Sequence, residues 1–86
     1  MKLDFSRNFK KQINKLPPKK IAKAKQAIDE FLQNPDNPKL RYHALKGDWL
    51  GYESISAGGD LRLHFKIVDD MITFVAVGTH SQLYKS

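Results

Sequence analysis

Residues 61–77, "LRLHFKIVDDMITFVAV", decide the fold. Leu61, Leu63, Phe65 and Ile67 alternate with Arg62, His64 and Lys66, the period of two that gives a strand one apolar and one polar face. Asp69 and Asp70 read as a turn, and "MITFVAV" is apolar on both parities, as in a strand covered on both sides. An antiparallel hairpin is therefore predicted here. Working back from it, "AGGD" is a turn, "LGYESIS" a strand, and "LKGDW" contains another turn. "LRYHAL" reads as a short strand or an extended lead-in.

Further back the period lengthens to that of a helix. Phe5, Phe9, Ile13 and Leu16 recur at helical spacing after a short strand, "KLDF", with Ser6 or Asp4 available as N-cap, which predicts a helix of about three turns. Pro17 stops it. Pro18 suits the first turn of a second helix, where a missing amide proton costs nothing. There Ile21, Ala24, Ile28, Phe31 and Leu32 form an apolar stripe, with Lys19, Lys20, Lys23 and Lys25 largely off it. "NPDNP" ends that helix, because the residue before each proline is pushed out of the α region. The fold class is α+β: two layers, an N-terminal strand and helical hairpin packed on a mostly antiparallel sheet of four to five strands, in one domain over residues 1–86.

Composition narrows the functional classes. Residues 1–46 hold 12 Lys and Arg against 4 acids, while residues 47–86 hold 3 against 5. A positive field so concentrated suits a nucleic acid, a ribosome or an acidic protein, although lysine-rich helix faces are also ordinary solvated surface. With no cysteine there is no disulfide, thiolate ligand or thiol nucleophile. The histidines at 43, 64 and 80 lack ligand spacing such as HExxH, so no structural metal is expected. No run of ~18 apolar residues could span a membrane, and "MKLDFSRNFKKQ" lacks the apolar region of a signal peptide, which together predict a cytoplasmic protein.

If helices cover Leu61, Leu63 and Phe65, the other face presents Arg62, His64 and Lys66 about 7 Å apart, twice the strand rise, as a row able to grip a phosphodiester backbone. "GTHSQLY" follows the adjoining strand, and the glycine turn delivers Asp60 just before Arg62. His80, Asp60 and Arg62 are thus predicted to meet at one end of the sheet. Gly78 would let the chain turn there, and Thr79 would bond locally. These residue types suit RNA cleavage by the 2′ hydroxyl: a histidine titrates near working pH, an arginine offers a fork of donors to the phosphorane, and aromatic rings such as Tyr84, Tyr52 or Trp49 can hold an unstacked base.

The order of elements, with "HALKGDWLGYES", "DLRLHFKIVDD" and "VGTHSQLY", resembles the RelE/ParE superfamily of bacterial type II toxins, most closely its YafQ-like branch. The likeness runs from "FSRNFKKQINKL" to Tyr84. It implies a ribosome-dependent endoribonuclease that cuts translated mRNA, has no cofactor, and is neutralised by a cognate antitoxin. It further implies His80 as proton donor to the leaving oxygen, Asp60 or His43 as base, Arg62 as stabiliser of the phosphorane, and Tyr84 as a stacking or orienting ring; Lys46, which matches no position of the branch, is a candidate to assist Arg62. His64, Lys66 and Ser56 are candidate RNA contacts; Trp49 and Tyr52 read as packing residues. Two positions depart from the branch: Ser56 stands where it has a second histidine, and Ala76 where it has an arginine. They motivate the alternative of a catalytically weakened homologue that retains antitoxin binding. A non-nucleolytic inhibitor like the ParE branch, acting on gyrase, is the other alternative, and the histidine-bearing ending argues against it.

Overall fold

The computed structural model describes residues 2–84. Strand β1 (Lys2–Phe5) leads into helices α1 (Arg7–Asn14) and α2 (Pro18–Gln33), followed by β2 (His43–Ala44), β3 (Glu53–Ser56), β4 (Leu61–Val68), β5 (Met71–Thr79) and the short helix α3 (His80–Leu83). The five strands form one sheet in the order β1-β5-β4-β3-β2. Every pairing is antiparallel except that of β1 with β5. This is the predicted architecture, with the lead-in at residues 43–44 resolved as an edge strand. Gly58 and Gly59 make the β3–β4 turn at φ values of 101° and 54°, a region glycine enters at little steric cost.

Ser6 caps α1, its Oγ accepting from the Phe9 amide at 3.0 Å. The helix is shorter than its apolar spacing predicts, 8 residues rather than three turns. Leu16 precedes Pro17 and is pushed out of the α region, so the chain leaves the helix early, and Leu16 packs on the core from the linker. Pro18 occupies the first turn of α2 as expected. The buried stripe of α2 is Ala24, Ala27, Ile28 and Phe31, while Leu32 lies at its rim, 44% exposed. That spacing, i, i+3, i+4 and i+7, is the face a helix presents to a flat sheet.

Against that face the sheet supplies Ile55, Leu61, Leu63, Phe65, Ile72, Phe74 and Val77, all buried. Aromatic rings run through this layer: Phe5–Phe9 at 5.3 Å, Phe9–Phe74 at 5.9 Å, Phe74–Phe65 at 5.2 Å and Phe65–Phe31 at 5.0 Å between centroids. The β4–β5 ladder contains a bulge. His64 pairs with Ala76 but Phe65 pairs with Phe74, so Val75 is the extra residue that lets Phe74 and Val77 both reach the core. Its carbonyl accepts from Ser6 Oγ at 3.2 Å and Asn8 Nδ2 at 3.0 Å, which ties the start of α1 to the bulge. No helix among the described residues is long and apolar enough to cross a membrane.

Candidate active site

Register fixes what shares the face away from α1 and α2. His43 pairs with Ser54, Ser54 with His64, and His64 with Ala76; one step along, Ser56 pairs with Arg62 and Arg62 with Gly78. Residues directly opposite across an antiparallel ladder stand on the same face. Two rows result, and α3 and the 3₁₀ turn Gly47–Trp49 border them.

The sequence at the end of β5 builds α3 locally. Thr79 Oγ1 accepts from the Gln82 amide at 3.2 Å, and the Thr79 amide donates to Gln82 Oε1 at 2.9 Å, a reciprocal capping box. Gly78 is not needed for a positive φ. A Cβ there would come within 2.9 Å of Gln82 Oε1 and 3.5 Å of Leu83 Cδ2, so the glycine serves the close approach of α3 and not the turning of the chain. His80, the first residue of α3, is exposed, and its ring lies 4.4 Å from Tyr84. Trp49 Nε1 donates to the Leu83 carbonyl at 3.0 Å and clasps the 3₁₀ turn to α3.

Beneath this clasp lies His64, with no exposed surface. The Trp49 ring is 4.4 Å away and the Tyr84 ring 5.3 Å, both nearly edge-on. Among the described residues neither imidazole nitrogen has a hydrogen-bond partner, nor does the buried Ser54 Oγ next to it across the ladder. A buried polar group left unpaired costs about 1–3 kcal/mol. Burial, reinforced by His43, His80 and Arg62, holds the His64 imidazole down at about 4, so it is neutral near pH 7. Burial also raises the Tyr84 hydroxyl, against the opposing pull of Arg62. Trp49, Tyr52, Tyr84 and Lys46 line an open cleft of about 590 Å³ beside the clasp, within the range of small-ligand sites.

Three sequence expectations need correction. His64 is not exposed as an RNA contact in this structure, because Trp49 and Tyr84 cover it completely. Ser56 is buried, and its Oγ is taken by the Gly58 amide and by Arg62 Nη1, both at 3.2 Å, so it orients the arginine and does not meet a ligand. The row Arg62, His64, Lys66 is accordingly interrupted. Arg62 Nη1 also donates to the carbonyls of Gly59 at 3.0 Å and Leu61 at 3.2 Å, leaving Nε and Nη2 without hydrogen bonds among the described residues. Lys66 is exposed, its Nζ 5.5 Å from the centre of the Tyr52 ring.

The remaining candidates lie at the rim. Leu61 pairs with Thr79, which brings Asp60 and His80 to the same end of the sheet; Asp60 is exposed and makes no hydrogen bond or ion pair to His80 or Arg62 among the described residues. His43 is exposed on edge strand β2, its Nδ1 2.6 Å from the Arg41 carbonyl, and Lys46 is exposed at the cleft. Trp49 was read as a packing residue or a ring for an unstacked base, not as the cover of His64; the signal for that placement is its position between Gly47 and Gly51, in a turn that can lay a large ring over a neighbouring strand. Among the described residues no group of three or more His, Cys, Asp or Glu side chains is arranged to hold a metal ion.

The model of one family, described as the YafQ bacterial toxin of type II toxin–antitoxin systems, matches residues 1–85. The chain belongs to the YafQ toxin family. Among solved structures, YafQ from Escherichia coli BL21(DE3) superposes with a TM-score of 0.80 at 26% identity, covering 95% of this chain and 96% of that one. YafQ in the E. coli DinJ–YafQ toxin–antitoxin complex gives a TM-score of 0.77 at 26% identity, over 95% of this chain and 94% of that one. A YoeB/ParE toxin from Agrobacterium tumefaciens shares the fold, with a TM-score of 0.76 at 18% identity over 93% of this chain and 99% of that one. No curated protein matches the chain by sequence. The YafQ fold thus carries the His43, Arg62, His64 and His80 arrangement described above.

Proposed function

We propose that this YafQ-family chain is a ribosome-dependent endoribonuclease that cleaves translated mRNA through the RNA's own 2′ hydroxyl, and that a cognate antitoxin neutralises it. The observation that carries this reading is the exposed His80 at the start of α3, whose first turn the Thr79–Gln82 capping box fixes at the end of β5, two residues after Gly78, the ladder partner of Arg62. In the reaction O2′ bonds to phosphorus as its proton passes to a base, and the P–O5′ bond breaks as His80 protonates O5′. A 2′,3′-cyclic phosphate and a 5′ hydroxyl result. The free Nε and Nη2 donors of Arg62, with Lys46, neutralise the phosphorane. Tyr84 and Trp49 supply rings for an unstacked base. Asp60 and His43 are the bases that the family likeness implies.

The test is 5′-end mapping of cellular mRNA after brief induction of wild type and His80→Ala. Cuts within translated messages, lost in the variant, support the reading; arrested translation with intact mRNA refutes it. Ala76 favours a second reading, of weakened catalysis with antitoxin binding retained. It is buried next to His64, so the guanidinium that the branch carries at this position is missing. Normal growth during verified expression would support that alternative. The exposed Lys19, Lys20, Lys23 and Lys25 of α2 fit an acidic antitoxin segment, and the complex should weaken as salt rises, measured by titration calorimetry at two ionic strengths.

A further inference from the structure

The base is the weakest part of that assignment. His43 lies on β2, three strands from β5, or roughly 14 Å at ~4.8 Å per strand, while one phosphate must be reached by both acid and base. Asp60 is exposed and tied to nothing in the site. His64, by contrast, stands on the central strand β4, two residues along from Arg62 on the same face.

Its surroundings are unusual in one respect. Tyr84 is wedged between two imidazoles, 4.4 Å from His80 on one side and 5.3 Å from His64 on the other, and Arg62 acts on both Tyr84 and His64. The Tyr84 ring is therefore flanked by His80 and His64, with Arg62 on the same sheet face two residues along β4 from His64. The second cover, Trp49, is fastened to α3 by the one hydrogen bond from its Nε1 to Leu83. Both covering residues are aromatic, and base–aromatic stacking gives displaced rings a favourable destination. Opening would also release the unpaired nitrogens of His64 from a dry environment.

We propose that His64 is a catalytic residue of this site, the acceptor of the 2′ hydroxyl proton, sequestered until bound RNA lifts Tyr84 and Trp49 from above it. The proposal rests on the nuclease reading. The scissile phosphate then occupies the space of the Tyr84 ring, between the two imidazoles. One nitrogen of His64 takes the O2′ proton as O2′ bonds to phosphorus, the P–O5′ bond breaks, and O5′ receives its proton from His80. His64 leaves the step protonated and His80 neutral, and exchange with water restores both. Burial keeps His64 neutral beforehand, the form a base requires; once uncovered it moves back towards the ordinary value of about 6.5.

Two measurements test this. The first compares wild type and His64→Leu, a change of similar volume, by single-turnover cleavage on programmed ribosomes and by thermal unfolding. Removing an unpaired buried imidazole should raise the Tm, by about 4 °C or more, while cleavage falls by about 100-fold or more. Cleavage within about 3-fold of wild type overturns the proposal, and so does a fall in Tm along with activity, which would make His64 a plain core residue. Absence of cleavage by wild type would instead sink the nuclease reading itself. The second measurement maps diethyl pyrocarbonate modification by mass spectrometry. His43 and His80 should react in wild type and His64 should not, whereas His64 should react in Tyr84→Ala. A His64 still inert in that variant overturns the lid.

Discussion

On the helix side of the sheet, Phe5, Phe9, Phe31, Phe65 and Phe74 touch in sequence, and the layer contains no polar side-chain atom left without a partner among the described residues. On the other side, Ser54 Oγ and both nitrogens of His64 are buried without partners among the described residues, and His64 lies under the rings of Trp49 in a 3₁₀ turn and of Tyr84 just after α3. The same strands build both faces. Their difference shows packed and paired groups concentrated on one side of β4 and β5, and buried polar groups without partners among the described residues on the other.

His80→Ala should show the widest gap between the faces: cleavage on programmed ribosomes lowered by about 10²–10⁴-fold with little change in Tm, since the side chain is exposed. A Tm loss comparable to that of a core variant would break the comparison. Phe65→Ala removes a ring with no exposed surface and is expected to cost about 3–5 kcal/mol in chemical denaturation. Acid should act through the opposite face. His64 takes up a proton near 6.5 when unfolded but only at about 4 when folded, so the unfolded state binds more protons in between. Stability from this group is complete above about pH 6.5 and is lost as the pH falls towards 4; denaturation midpoints across that window should fall in wild type and fall less in His64→Leu. The smallest effect is expected from Gly78→Ala. The added methyl group pushes on Gln82, breaks the capping box at a cost of about 1 kcal/mol, and shifts His80, so kcat should drop further than stability does.

Much of the helix-side face was legible in the sequence because it is written locally. Alternation in Leu61–Ile67, Ser6 before an apolar helical period, and Pro18 in the first turn each act within a few residues. The chain's departures from that reading have physical causes of longer range. Leu32 is exposed because the sheet accommodates a narrower stripe of α2, and the bulged Val75 has its carbonyl held from far away in the chain by Ser6 and Asn8 at the start of α1. The site divides in the same way. That His80 and Arg62 lie towards the same end of the sheet was legible from motif spacing and from the register of one hairpin. The burial of His64 was not, since it is imposed by Trp49 and α3, which no periodicity in β4 could announce.

The parallel pairing of β1 with β5 governs the order in which this molecule assembles. Lys2–Phe5 pairs with Met71–Phe74, and the bonds that Ser6 and Asn8 donate to Val75 and that Val77 donates to Gln12 span 65 to 69 positions. Loop closure over such separations is entropically costly, and contacts of this kind form slowly. The hairpin β4–β5 can close early, but the end of β5 that presents His80 is braced by Gln12 only once the amino-terminal segment has docked. A chain whose amino-terminal segment has not docked thus has its helices and its hairpin but lacks the Gln12 bond to Val77, three residues before His80.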